Sequence, residues 1–212
     1  GVFVAGSMGP LGVKVEPLGQ LSTGEAEASF AEQARALIEG GVDLIILETF
    51  SDVREIGLAV KAIRSANADI PVLAEMTIDE DGNSLYGTTP EVFTKDLESL
   101  GVQAIGVNCS VGPAPMLQCI ERMVKVTSLP LSAMPNAGMP ELVGNKAVYK
   151  MTPEKFASYA KKFAEMGVRI VGGCCGTGPE HIQAVAKIVA GLPVSQLKDK
   201  DKKLATGNGQ QA

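Results

Sequence analysis

Nothing in this sequence approaches the ~20 consecutive apolar residues that a bilayer-spanning helix needs, so no transmembrane segment is expected. No basic start, apolar stretch and cleavage site open the chain, so no export signal is expected. There is no Lys/Arg stripe, and with a net charge of −5 nucleic-acid binding has no support. Tryptophan is absent and histidine occurs once, at His181. Cysteine is scarce: there are four, and two of them, Cys174 and Cys175, are adjacent and so poor disulfide partners for each other. That is no secreted disulfide framework. A reducing, cytoplasmic setting is expected, where clustered cysteines more often mean metal or catalysis. A starting methionine is missing too. Gly1 stands directly before an apolar run, so the N-terminus is expected to cut into the fold.

What is present is an ordinary globular composition, 45% hydrophobic and 20% charged, over 212 residues, enough for one sizeable core. Val2 to Gly6 reads as a short buried strand. Ser22-x-x-Glu25 is a capping box, and Phe30, Ala34, Leu37 and Ile38 follow at helical spacing until Gly40-Gly41. The pattern then recurs. Apolar runs at 44–47, 71–78, 104–107, 129–134 and 168–171 read as strands. Each is followed by a helix signal: Asp52-x-x-Glu55, Thr89-Pro90, the spacing of Met116, Ile120 and Met123, Thr152-Pro153, and Thr177-x-x-Glu180. Six strand–loop–helix units in strict alternation, each of roughly 25 to 40 residues, mean an α/β fold with a parallel sheet. Residues 1–194 read as one domain; the Lys/Asp-rich and then Gly/Asn/Gln-rich stretch 195–212 reads as a disordered linker or tail.

Alternation alone allows a doubly wound open sheet or a (β/α)8 TIM-type barrel lacking its first two units. The chemistry-bearing residues favour the barrel. Glu48, Cys109, Asn136, Cys174 and Cys175 all follow strands that are not neighbours in sequence. A barrel gathers those ends around one mouth, whereas an open sheet spreads them along an edge.

Cys109 lies in Gly-Val-Asn-Cys-Ser, and the cysteine pair in Val-Gly-Gly-Cys-Cys-Gly-Thr-Gly-Pro-Glu. Both are strand-to-helix corners whose glycines permit close backbone approach. Three thiolates suit zinc, which takes cysteine sulfur at ~2.3 Å in a tetrahedron, and three protein ligands leave one position open, as in catalytic sites. Such a centre is electron-rich, a weak activator of water and well suited to a fourth thiolate from substrate, which coordination deprotonates. This points to alkyl transfer onto a thiol. Cys119, among helix-spaced apolar residues, reads as a small buried hydrophobe. His181 reads as a solvated or hydrogen-bonded helix residue. Glu75 and Asp79 read as structural or rim carboxylates, and the acidic turn 79–82 lacks EF-hand spacing for calcium.

Gly-Val-Asn-Cys-Ser (106–110), Pro-Asn-Ala-Gly (135–138) and Gly-Gly-Cys-Cys-Gly-Thr-Gly-Pro-Glu-His-Ile (172–182) resemble the zinc-dependent homocysteine S-methyltransferase family. The likeness is greatest to the homocysteine-binding modules of cobalamin-dependent methionine synthases. Ala-Gly-Ser-Met-Gly-Pro-Leu-Gly (5–12) and Glu-Thr-Phe-Ser-Asp (48–52) also look like that family. The resemblance implies a barrel with zinc on Cys109, Cys174 and Cys175, activating the homocysteine thiol for methylation to methionine. It further implies Glu48 near the substrate's amino group and Asn136 near its amino-acid end. Relatives use methylcobalamin, betaine or S-methylmethionine as donor. The mixed-charge tail favours a further cobalamin or folate domain as partner, with methylcobalamin as donor. Family members carry an N-terminal Asp-Gly-type strand and a second unit that are not seen here, so the fragment alone is expected to be poorly soluble or inactive. A zinc-buffering or thiol-redox module without methyl transfer is the reading from a different class.

Overall fold

The computed structural model describes residues 1–192. Six parallel strands form one sheet in which chain order is also spatial order: β1 (Ala5–Met8), β2 (Leu44–Phe50), β3 (Val72–Met76), β4 (Ala104–Asn108), β5 (Leu131–Met134) and, after a hairpin, β8 (Ile170–Val171). A doubly wound sheet would reverse direction at a switch point. This one does not, and it curls as part of a TIM-type barrel. Helices α1 (Thr23–Glu39), α2 (Val53–Ala66), α3 (Pro90–Ser99), α4 (Pro113–Met123), α5 (Pro153–Glu165) and α6 (Pro179–Ala190) alternate with the strands. The fold class expected from the alternation is the one observed.

Strand side chains alternate between two faces. Ile45, Leu47, Val72, Ala74, Met76, Ile105, Val107, Leu131 and Ala133 join Phe30, Ile56, Phe93, Met116 and Ile120 in the main core beneath the helices. The opposite, concave face carries Glu48, Glu75, Asn108 and Ser132 between apolar neighbours. The greasy side of each strand thus builds the protein, and the polar side builds the site. No helix among the described residues is long and apolar enough to cross a membrane.

Several boundaries differ from expectation for local reasons. The first strand begins at Ala5, and Val2, Phe3 and Val4 are 93%, 80% and 58% exposed, because β1 is an edge strand with a neighbour on one side only. Ser22 does form its capping box with Glu25. Asp52 caps α2 through the Arg54 amide, but Glu55 turns away to accept the Leu11 amide at 2.8 Å. The cap of α6 is Gly178 rather than Thr177, whose hydroxyl donates to the Cys174 carbonyl at 2.7 Å. A hairpin of β6 (Glu141–Val143) and β7 (Lys146–Val148) adds to the expected elements. Its sequence signal is a Gly144-Asn145 loop between short apolar runs, with Gly144 at φ 61°. The tail expected over 195–212 lies outside the described residues.

Candidate metal centre

The three sulfurs of Cys109, Cys174 and Cys175 lie within 4.8 Å of one another, and Cys109 Sγ is 3.6 Å from Cys175 Sγ. All three thiols are free. Ligands ~2.3 Å from a tetrahedral metal stand about 3.8 Å apart, so the cluster has the dimensions of a three-sulfur face around one zinc-sized ion. Among the described residues this is the one such group of metal-ligating side chains.

Backbone hydrogen bonds converge these thiols. Cys109 extends the β4–β5 ladder by one step, its amide donating to the Met134 carbonyl at 3.1 Å. The chain then turns sharply, with Cys109 and Ser110 both at φ 57°, a left-handed conformation uncommon outside glycine and frequent at functional sites. The Cys174 amide donates to the Pro135 carbonyl at 2.9 Å, and the Ala137 amide donates to the Cys175 carbonyl at 2.9 Å. Asn136 sits between the two cysteine loops. Its backbone amide donates to the Val111 carbonyl at 3.0 Å on the Cys109 side, and its Oδ1 accepts the Cys175 amide at 3.1 Å on the other. Gly173 leaves room for Thr177, whose Cγ2 would stand 2.5 Å from any Cβ there.

Electrostatics favour a cation at this point. Partial burial first, and then the Cys109 and Cys175 sulfurs beside it, push the Cys174 thiol up to about 12. Thiolates so crowded repel one another, and a divalent ion at their centre reverses that balance. Cys119 is fully buried and its thiol is likewise pushed up to about 12 by burial, the state of an inert core residue. His181 Nδ1 accepts the Gly178 amide at 3.1 Å, which leaves Nε2 to donate to the Met151 carbonyl at 2.9 Å. With both nitrogens engaged, the ring serves as the helix cap and not as a ligand.

On the concave face, the Ser7 hydroxyl donates to Glu48 Oε1 and Asn108 Nδ2 donates to Oε2 at 3.4 Å. Asn108 also accepts the Thr49 amide at 2.8 Å. As the residue before Cys109, it joins the carboxylate to the sulfur cluster. Sequence reasoning gives Asn108 no role beyond its place in Gly-Val-Asn-Cys-Ser; only the packing supplies one. Asp79 is an exposed turn residue, as expected. Glu75 is not at the rim. It is 0% exposed on the concave wall, and neither oxygen has a hydrogen-bond partner among the described residues, the Ser132 hydroxyl lying alongside but out of bonding geometry. Burial foremost, and then the charge of Glu48, push its carboxyl up to about 7. Tyr149 also escapes sequence reasoning, because it lies on a loop with no periodic signal; the root of its ring packs over Gly176, the residue after Cys175.

Residues 1–189 match the family described as Homocysteine S-methyltransferase. The methionine synthase of Mycobacterium tuberculosis is 38% identical over 195 residues, 90% of this chain and 16% of that protein. The methionine synthase of Mycobacterium leprae is 38% identical over 193 residues, 89% of this chain and 16% of that protein. The chain thus spans about a sixth of the length of these curated relatives. Among solved structures, the apo form of the homocysteine methyltransferase MmuM from Escherichia coli superimposes with a TM-score of 0.70 at 25% identity, covering 88% of this chain and 62% of that one. Its metallated form gives 0.71 at 24% identity, covering 88% and 61%.

Proposed function

The chain belongs to the homocysteine S-methyltransferase family, and from that membership we propose that it is the module that binds homocysteine and presents its thiol for methylation to methionine. One observation carries the chemistry: three free thiols within 4.8 Å at the C-terminal ends of a barrel's strands, where TIM-type barrels place their active sites. Cys109, Cys174 and Cys175 would hold a zinc ion and leave one position for the substrate sulfur. Zinc so held would ionise a thiol whose free pKa is ~8.5 and leave it nucleophilic.

The protein's own groups do the rest. Glu48, fixed by Ser7 and Asn108 on the concave face, offers a carboxylate to the substrate ammonium, and a half-buried acid gains most from such a partner. Asn136 keeps the two cysteine loops in register and borders the substrate's amino-acid end. The N-terminus of α6 starts at Pro179, shortly after Cys175 in the chain, and its partial positive charge would favour the thiolates. The methyl donor belongs to another part of a longer protein. Methylcobalamin is the donor proposed, on the 38% identity to methionine synthases several times longer than this chain.

Zinc titration in the presence of homocysteine tests the reading. Homocysteine sulfur should enter the metal shell, seen by X-ray absorption, with release of one thiol proton. Cys174→Ala should abolish metal binding and homocysteine binding together; homocysteine affinity retained in that variant would sink the mechanism. A zinc-buffering module would bind the metal and ignore homocysteine.

A further inference from the structure

Strand β2 carries a bulge at its C-terminal end. Leu47 pairs with Ala74 and Phe50 with Met76, so Glu48 and Thr49 together face the single residue Glu75 on β3. The bulge keeps an unfavourable backbone: Thr49 has φ 68°, in the left-handed region that a β-branched residue rarely enters. Its anchor comes from two strands away. Asn108, on β4 and 1% exposed, reaches past β3 and commits its whole amide to this turn. Oδ1 accepts the Thr49 amide at 2.8 Å. A backbone N–H can only donate, so Nδ2 is the group left to face the neighbouring oxygens. Its two hydrogens go to the Thr49 hydroxyl at 3.1 Å and to Glu48 Oε2 at 3.4 Å. The next residue along the chain is Cys109, whose amide is pinned to the Met134 carbonyl at 3.1 Å.

We propose that Asn108 is a positioning residue that fixes the spacing between the Glu48 carboxylate and the Cys109 sulfur, and so selects an amino-thiol of homocysteine's length over one a methylene shorter. This rests on the reading above, in which Glu48 takes the substrate ammonium and Cys109 helps hold the ion that takes its sulfur. A ligand anchored at both ends is measured by the distance between its anchors. Homocysteine has two methylenes between sulfur and Cα, and cysteine has one. The difference in reach is up to about 1.5 Å, a carbon–carbon bond length. Neither anchor is free to follow the shorter ligand. Asn108 ties one Glu48 oxygen to the residue beside Cys109, and the Ser7 hydroxyl holds the other.

Calorimetric titration of the zinc-loaded protein with homocysteine, cysteine and γ-mercaptobutyrate, which lacks the ammonium, tests this without turnover. Wild type should prefer homocysteine to cysteine by at least about tenfold, within the range that a single methylene gives. Asn108→Ala should lower homocysteine affinity about tenfold and leave cysteine within about twofold, erasing the preference at unchanged zinc stoichiometry. A purely structural loss would weaken both ligands together and keep their ratio. Asn108→Asp decides if the alanine variant loses its zinc. It has the same size and still accepts the Thr49 amide, but at pH 8 its carboxylate has no hydrogen for Glu48. Its added charge meets both amino acids alike, so the ratio should fall again. Absence of a preference in wild type, or a preference that survives in a zinc-loaded variant, would overturn the role of Asn108 and leave the substrate reading standing. Loss of zinc from both variants would make Asn108 a scaffold residue and overturn it too. Wild type that binds γ-mercaptobutyrate as tightly as homocysteine would overturn the role of Glu48 and this inference with it. Wild type that takes up no thiol would overturn the whole reading.

Discussion

Glu75 carries a carboxylate with no exposed surface and no hydrogen-bond partner among the described residues. Burial therefore favours its protonated form and pushes the carboxyl up to about 7, against an ordinary value of 4.5. Below pH 4.5 the group is protonated in folded and unfolded chains alike and stability is unaffected. Between 4.5 and 7 only the unfolded chain sheds the proton, so stability falls as pH rises; above 7 the loss is complete. With ~1.4 kcal/mol for each tenfold change in proton affinity, the loss is roughly 3 kcal/mol. Glu75→Gln should accordingly raise the melting temperature at pH 8 and change it little at pH 4.5. Equal effects at the two pH values would contradict a raised carboxyl. Sequence alone could not separate Glu75 from Asp79, since both are acids near the end of one apolar run. The difference is made by strand alternation, which turns Glu75 inward, and by the exit of the chain before Asp79.

At the scale of elements, the link after β5 does more than connect. Pro135, Asn136 and Ala137 accept from or donate to the Cys174–Cys175 loop, and the Asn136 amide reaches Val111 in the loop after β4. Three loops from three units are thereby held as one body. Asn136→Ala would leave the Cys175 amide without its side-chain acceptor, but Cys175 is exposed, so water can take that place and what is lost is the orientation of the loop. We expect it to weaken zinc binding about tenfold or more in competition with a chelator, with little change in thermal unfolding, because the core beneath the helices is untouched. Helix ends are legible wherever they rest on local chemistry. Ser22 and Glu25 satisfy each other within one turn, and Thr152 accepts from the Lys155 amide. Thr177 defeats the same reasoning, because the Cys174 carbonyl competes for its hydroxyl and wins. The hairpin at 141–148 is hard to see in the sequence because its strands are three residues each and exposed throughout, so they bury too little to leave a pattern.

For the whole molecule, the sheet as described ends in two open edges, β1 and β8. Unpaired edges are templates for association, and apolar Val2 and Phe3 lie exposed beside one of them. The 212-residue chain produced alone should therefore self-associate, detectable by sedimentation. A monomer with normal methyltransferase turnover would contradict this.

By itself the sequence determined the alternation of strands and helices, the parallel sheet that follows, and the three thiols at strand exits. Those features rest on periodicity, capping and turn chemistry, which act over a few residues and leave their marks in order along the chain. Only the tertiary structure decided that Cys109 meets Cys175 across 66 positions, that Asn108 reaches Glu48 across 60, and that Tyr149 lies over Gly176. Such contacts depend on how strands curve and pair side by side, and no local pattern encodes that distance.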